Sequence, residues 1–288
     1  MKIAPRGDHN RYKYNESFFT KWTPKMAYVL GFLYADGNIT DSIPSRTQYT
    51  SFSSSEKEIL KKIKSALDSK HKIYRRPPQF IRHKNGEYLS RESFSLRIGS
   101  RKMFNDLVTI GVVPNKSKII TFPNIPANYL YHFTRGYFDG DGCVYIEMAK
   151  GITKNRILRK LSIIFSCGSY KFLEGLKNRL SENNLDGFIY KSTRCFQLRY
   201  NTYQSVELFK LMYKDSDNLY LIRKFKTFTD YFKLRPQKVD KEILKIIGWR
   251  VGRAARQSSA KAFYSGANPL RALRYNGNTT KTKNAVYS

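Results

Sequence analysis

The sequence predicts an α+β fold of two pseudo-symmetric lobes, each running helix–strand–strand–helix–strand–strand–helix. Four blocks of similar pattern recur in the same order in the two halves, a sign of internal duplication. Each half opens with an almost uncharged helix carrying small residues four apart. Each also contains strands that alternate apolar and polar residues, the period of a half-buried sheet.

The opening helices come first. Residues 28–39 read YVLGFLYADGNI, and residues 133–145 read FTRGYFDGDGCVY. Thr23-Pro24 marks the start of the first, as an N-cap followed by proline at the first helical position. No residue from Met26 to Ala35 is charged, so that helix is expected to be buried nearly all round. Gly31 and Ala35 share a face, as do Gly136 and Gly140. Small residues there let two helix backbones approach closely, and the simplest arrangement packs the two helices together as the seam between lobes. Gly37 and Gly142 are expected to end them in the left-handed C-cap conformation.

The second helices follow. Residues 53–67, SSSEKEILKKIKSAL, match residues 166–180, SCGSYKFLEGLKNRL, placing Ile59, Leu60, Ile63 and Leu67 against Phe172, Leu173, Leu176 and Leu180. Next, SFSLRIGSR at 93–101 matches CFQLRYNTY at 195–203, a strand leading into a helix. Last, NKSKIITF at 115–122 is aligned with RKFKTFTDYF at 223–232. The polar stretches 44–50, 75–88 and 150–160 read as hairpin connections. The expected organisation is a basic N-terminal extension at 1–19, lobes at 20–125 and 126–235, and a C-terminal helix with a basic tail at 236–288. In that last segment Ile243, Ile246, Ile247 and Val251 have helical spacing.

Charge narrows the partner. Fifty-three Lys and Arg against 22 Asp and Glu leave +31 over 288 residues. Such an imbalance calls for a polyanion, and nucleic acid adds affinity through counterion release. No apolar run approaches the length of a membrane span. Cys143, Cys167 and Cys195 are odd in number and lack a Cys-x-x-Cys pair, which excludes a zinc site of that type and points to a reducing, intracellular setting. The N-terminus shows no secretion signal.

Asp36 and Asp141 carry the chemistry. Each is the last residue before the glycine that stops its helix, where the helix dipole disfavours negative charge. Two such acids at one seam repel each other, so a divalent cation is the expected compensation. Oxygen donors with room for water and phosphate suit magnesium, and metals that bridge attacking and leaving oxygens can cleave a phosphodiester. Asp139 is set aside, because its counterpart is Tyr34 and it lies four residues after Arg135, placed for an ion pair.

VLGFLYADG at 29–37 and TRGYFDGDG at 134–142 resemble the two copies of the LAGLIDADG signature of homing endonucleases. The resemblance implies two αββαββα lobes whose antiparallel sheets form a saddle on double-stranded DNA. It implies a monomer that makes metal-dependent double-strand cuts at a long asymmetric site, leaving 3′ overhangs, and a gene carried in a mobile intron. Asp36 and Asp141 would hold Mg2+, which Mn2+ or Ca2+ can replace, with help from the carbonyls of Ala35 and Gly140. Lys116 and Lys224, each expected just before the last helix of its lobe, would act on water or the developing phosphate charge. An RNA maturase or a non-cleaving DNA-binding regulator on the same scaffold is the alternative.

A β-ribbon fits the major groove, so base and phosphate contacts are expected from the strands. The candidates are Arg46, Gln48, Arg75, Arg76, Arg82, Lys84, Arg91 and Arg97 in the first lobe. In the second they are Arg156, Arg159, Lys191, Arg194, Gln197 and Arg199.

Overall fold

The computed structural model describes residues 12–42, 47–83, 86–114, 119–150 and 156–248, leaving out the side chains of 42, 83, 150 and 156–159. The described residues up to Val239 form one compact unit, and those from Asp240 onward belong to a second.

Helix α1 (Pro24–Asp36) starts where the Thr23 hydroxyl accepts from the Met26 N–H at 3.0 Å, with Pro24 in the first turn. Every residue from Met26 to Tyr34 is buried, as its lack of charge requires. Its partner is α4 (Leu130–Asp141), entered through a single 3-10 turn at Ala127–Tyr129. The two pack backbone to backbone. A Cβ on Gly31 would overlap the carbonyl of Phe133, and one on Gly136 would overlap that of Tyr28. The contact is reciprocal: each glycine meets the residues three before and one after its counterpart, so a pseudo-two-fold axis passes through the seam.

Between α1 and α4 lie β1 (Gly37–Ser42), β2 (Thr47–Ser54), α2 (Lys57–Ala66), β3 (Ile73–Arg76), β4 (Phe80–His83), β5 (Gly86–Leu89), β6 (Ser93–Gly99) and α3 (Arg101–Thr109). After α4 come β7 (Gly142–Lys150), β8 (Arg156–Cys167), α5 (Tyr170–Ser181), β9 (Phe188–Lys191), β10 (Phe196–Tyr200), α6 (Thr202–Tyr213) and α7 (Ile222–Leu234). The sheets are antiparallel with matching orders, β1-β2-β6-β3 and β7-β8-β10-β9. In α2, Ile59, Leu60 and Ile63 are buried, joined by Leu67 just beyond its end; α5 buries Phe172, Leu173, Leu176 and Leu180. Those are the spacings the repeat shares.

Four expectations need correction. Residues 75–88 are not a bare connection, since they hold the end of β3 and an additional hairpin, β4-β5. The other two connections are also shorter than the polar stretches suggest, because β2 begins at Thr47, β7 runs to Lys150 and β8 starts at Arg156. The last repeat match does not hold as a helix match. Its second copy forms α7, whereas 115–118 lie outside the described residues and 119–122 are not helical. The start of the chain is no loose extension from residue 12 onward. Tyr14, Phe18 and Phe19 are buried, the Asn15 N–H donates to the Leu67 carbonyl at 2.9 Å, and Tyr14 Oη lies 2.5 Å from Ser100 Oγ.

In the second unit, α8 (Lys241–Ile247) is capped by Asp240, which accepts from the Ile243 N–H at 2.9 Å. It ends sooner than its apolar spacing suggests, because Gly248 turns left-handed at φ 66°. The basic tail beyond lies outside the described residues.

Candidate active site and nucleic-acid face

Asp36 and Asp141 are the last residues of α1 and α4, and both are exposed. Neither glycine behind them is left-handed. Gly37 sits at φ −110°, ψ 167° and Gly142 at φ −87°, ψ 160°, both extended. The chain passes from helix directly into β1 and β7. Glycine is required for space instead: a Cβ on Gly37 would strike Leu33, and one on Gly142 would strike Phe138.

The seam brings the two helix ends together. A Cβ on Gly140 would overlap that of Ala35 and lie 3.3 Å from the Asp36 nitrogen. Tyr137, buried and donating to the Ser166 carbonyl at 2.8 Å, has its pKa raised by burial first, then by the neighbouring Cys167 and the negative charges of Asp141 and Asp36. Both carboxylates therefore act on one hydroxyl. Two exposed carboxylates beside helix-end carbonyls offer hard oxygen donors with positions left for water and phosphate, a set suited to magnesium. Among the described residues, no group of three or more His, Cys, Asp or Glu is placed to hold a metal.

Lys224 is not placed just before a helix, but in the first turn of α7, and it is only 4 % exposed. Its ammonium donates to the carbonyls of Phe138, Asp139 at 2.8 Å, Gly140 at 3.4 Å and Gly142 at 2.6 Å. The last carbonyls of a helix have no partner within it, and here a lysine from another element serves them. Burial pushes the Lys224 pKa down to about 8, opposed by Asp139 and more weakly by Asp36. Lys116 lies outside the described residues.

Asp139 does not form the expected ion pair with Arg135. Its Oδ2 accepts from Tyr28 Oη at 2.7 Å and from the Leu221 N–H at 2.9 Å. Burial raises its pKa against the pull of Lys224 and these two bonds. The Arg135 guanidinium, 1 % exposed, donates instead to the carbonyls of Leu219 at 3.1 Å and Met212. Burial, then the Arg135 charge, push the pKa of neighbouring His132 down to about 4. Sequence reasoning missed this buried network. Its one visible signal is a pair of charges, Arg135 and Asp139, on a helix otherwise shaped for burial.

Helices cover one face of each sheet, on which Thr50, Phe52, Leu96 and Ile98, and Leu161, Ile163, Phe165, Leu198 and Tyr200, are buried. Strand alternation then sorts the candidate DNA contacts. Gln48 shares the parity of Thr50 and Phe52, and its Oε1 is buried, so it falls on the covered face. Arg97 lies opposite Ser51 on the open face, its guanidinium 3.4 Å above the Tyr49 ring. Arg199 lies on the open face of the second sheet, 5.4 Å from the Tyr190 ring centre, donating to Gln197 Oε1 through Nε at 3.1 Å and Nη2 at 2.6 Å. Arg76 shares the open face with Tyr74 and lies 3.4 Å from Gln79. Arg75 pairs with Glu92 at 2.5 Å, and Arg82 pairs with Glu87 across the β4-β5 hairpin. Arg91, Lys191 and Arg194 are exposed beside strand ends. Arg46 and Lys84 lie outside the described residues, as do the side chains of Arg156 and Arg159. Sequence reasoning allowed that aromatics beside basic residues could stack on bases but named none; on this face Tyr74, Phe188 and Tyr190 are 58 %, 64 % and 50 % exposed.

The solved structures this chain resembles are LAGLIDADG homing endonucleases. One is the homing endonuclease I-WcaI bound to its DNA recognition sequence, 13 % identical with a TM-score of 0.48, the match covering 74 % of this chain and 90 % of that one. Another is the LAGLIDADG meganuclease I-AabMI bound to uncleaved DNA, 15 % identical at 0.49, covering 78 % and 98 %. A third is a double mutant of I-SmaMI, 13 % identical at 0.49, covering 90 % and 100 %. No family model and no curated protein matches the chain. None of the described helices is long and apolar enough to cross a membrane, and none of the three cysteines forms a disulfide.

Proposed function

We propose that this chain is a metal-dependent, sequence-specific double-strand DNA endonuclease of the LAGLIDADG type. The observation that carries the reading is the seam. Two Asp-Gly helix ends are held side by side by backbone-to-backbone packing, and each runs without a loop into a sheet whose open face is rich in arginine and exposed aromatics. The pseudo-two-fold axis relating the halves suits the local dyad of duplex DNA, and the differing strand residues suit an asymmetric target read by one chain.

Asp36 and Asp141 would hold magnesium, assisted by the Ala35 carbonyl. A bound ion there would polarise the scissile phosphate and lower the pKa of a coordinated water. The protein's own residues orient the carboxylates, fix their separation through the glycine contacts, and anchor the phosphate backbone through exposed lysines and arginines. Lys224 acts as a clamp on the end of α4. It sets the position of Asp141 and stands close enough to Asp36 to offset part of its charge. The intron setting and 3′ overhangs belong to this reading, as do lobe limits near 20–125 and 126–235.

One observation favours a second reading, a binder of DNA or RNA that does not cut. The Gly140 carbonyl, a candidate metal ligand, already has the Lys224 ammonium at 3.4 Å.

Cleavage of a randomised duplex DNA library decides between them. Magnesium-dependent double-strand breaks at one asymmetric site, absent with EDTA and lost in both Asp36→Asn and Asp141→Asn while binding persists, are expected. Selective binding with no cleavage under any divalent metal would establish the second reading.

A further inference from the structure

We infer that Arg97 and Arg199 are the specificity anchors of the two halves. Each reads a guanine, so the otherwise asymmetric target contains two G·C pairs flanking the cut with their guanines on opposite strands. This rests on the DNA-cutting reading above.

The first support is register. Following Asp36 and Gly37, Asn38 pairs with Ser51, which pairs with Arg97. Following Asp141 and Gly142, Cys143 pairs with Ile164, which pairs with Arg199. Both arginines thus lie two strands over and one row beyond the catalytic Asp-Gly, at equivalent places about the pseudo-dyad. Neighbouring strands are about 4.8 Å apart, so each Cα stands about 10 Å sideways from the strand that leaves its aspartate.

The second support is preorganisation. An unconstrained arginine or lysine on a surface loses rotamer freedom when it binds. Arg97 is stacked on the Tyr49 ring and Arg199 lies 5.4 Å from the Tyr190 ring centre, both while remaining exposed. In Arg199, Gln197 takes Nε and one proton of Nη2. That leaves the Nη1–Nη2 edge directed away from Gln197, and two parallel N–H donors match guanine O6 and N7 in the major groove. Arg75 and Arg82, by contrast, have their guanidiniums engaged by Glu92 and Glu87.

The tyrosines also differ between the halves. Arg97 leans on Tyr49 of β2, the strand nearer its aspartate, whereas Arg199 leans on Tyr190 of β9, the outer edge strand.

Binding selection from a randomised duplex DNA library, with Ca2+ present, tests this in the full chain alongside Arg97→Gln and Arg199→Gln. Expected is a consensus with two guanines on opposite strands of an otherwise asymmetric site. Arg97→Gln should relax one of the two guanine positions alone and Arg199→Gln the other alone, each by roughly 10- to 100-fold in discrimination. A consensus without that pair would overturn the inference. So would substitutions that weaken all sequences alike while lowering the salt slope, the signature of phosphate contacts. A library with no enriched sequence would instead sink the endonuclease reading, and the inference with it.

Discussion

Tyr28 of α1 donates its hydroxyl proton to Asp139 of α4 at 2.7 Å, and the pseudo-symmetric position across the seam holds Phe133 edge-on to Tyr34 at 5.3 Å. One seam thus carries a buried polar pair on one side and an aromatic pair on the other. Tyr28→Phe leaves the buried carboxylate with one donor fewer and should cost about 1–3 kcal/mol. Urea denaturation compares it with Tyr34→Phe, whose hydroxyl has no hydrogen-bond partner among the described residues and whose loss should be near neutral. Equal costs would show that the Tyr28 bond contributes nothing.

At Gly136 a methyl group has nowhere to go, because the obstacle is the Tyr28 carbonyl and not a movable side chain. Gly136→Ala should destabilise the protein by about 3 kcal/mol, the upper end of ordinary overpacking. Calorimetry would register this as a lower Tm or a chain recovered only in insoluble form. Unchanged stability would mean the helices are not in backbone contact.

Lys224 predicts a pH signature. Its pKa falls from the ordinary 10.5 to about 8 on folding, so between those values the native state binds fewer protons than the unfolded one. Stability contributed by this group therefore rises as pH climbs from about 8 to about 10.5 and is withheld below. The stability difference between wild type and Lys224→Met should grow on the order of 3 kcal/mol across the window. Denaturation at stepped pH in EDTA tests it, and parallel profiles would contradict it.

DNA affinity should collapse with salt. With about six or more phosphates neutralised, raising salt from about 50 to about 200 mM should weaken binding at least 10³-fold. A titration that barely responds would show that the charge of +31 is not arrayed against a phosphate backbone.

The seam was legible because its signal is local: small residues four apart on an uncharged helix have few other uses. Strand parity was legible too, and applied to Gln48, four residues before Phe52, it would have placed that side chain on the covered face. The role of Lys224 was not legible. Its partners lie more than 80 residues away, and a lysine in a basic chain looks like any other until the fold buries it. The β4-β5 hairpin was obscured by its own polarity, since strands that meet solvent on both faces lack the alternation that marks a half-buried one.

The direct passage from helix to strand at Gly37 and Gly142 has a mechanical meaning. A loop there would let the carboxylates settle independently of the sheets. With none, a sheet that tilted to follow a poorly matched duplex would carry its aspartate away from the other, so in the proposed endonuclease a misfit at the bases would arrive at the paired carboxylates as a misalignment.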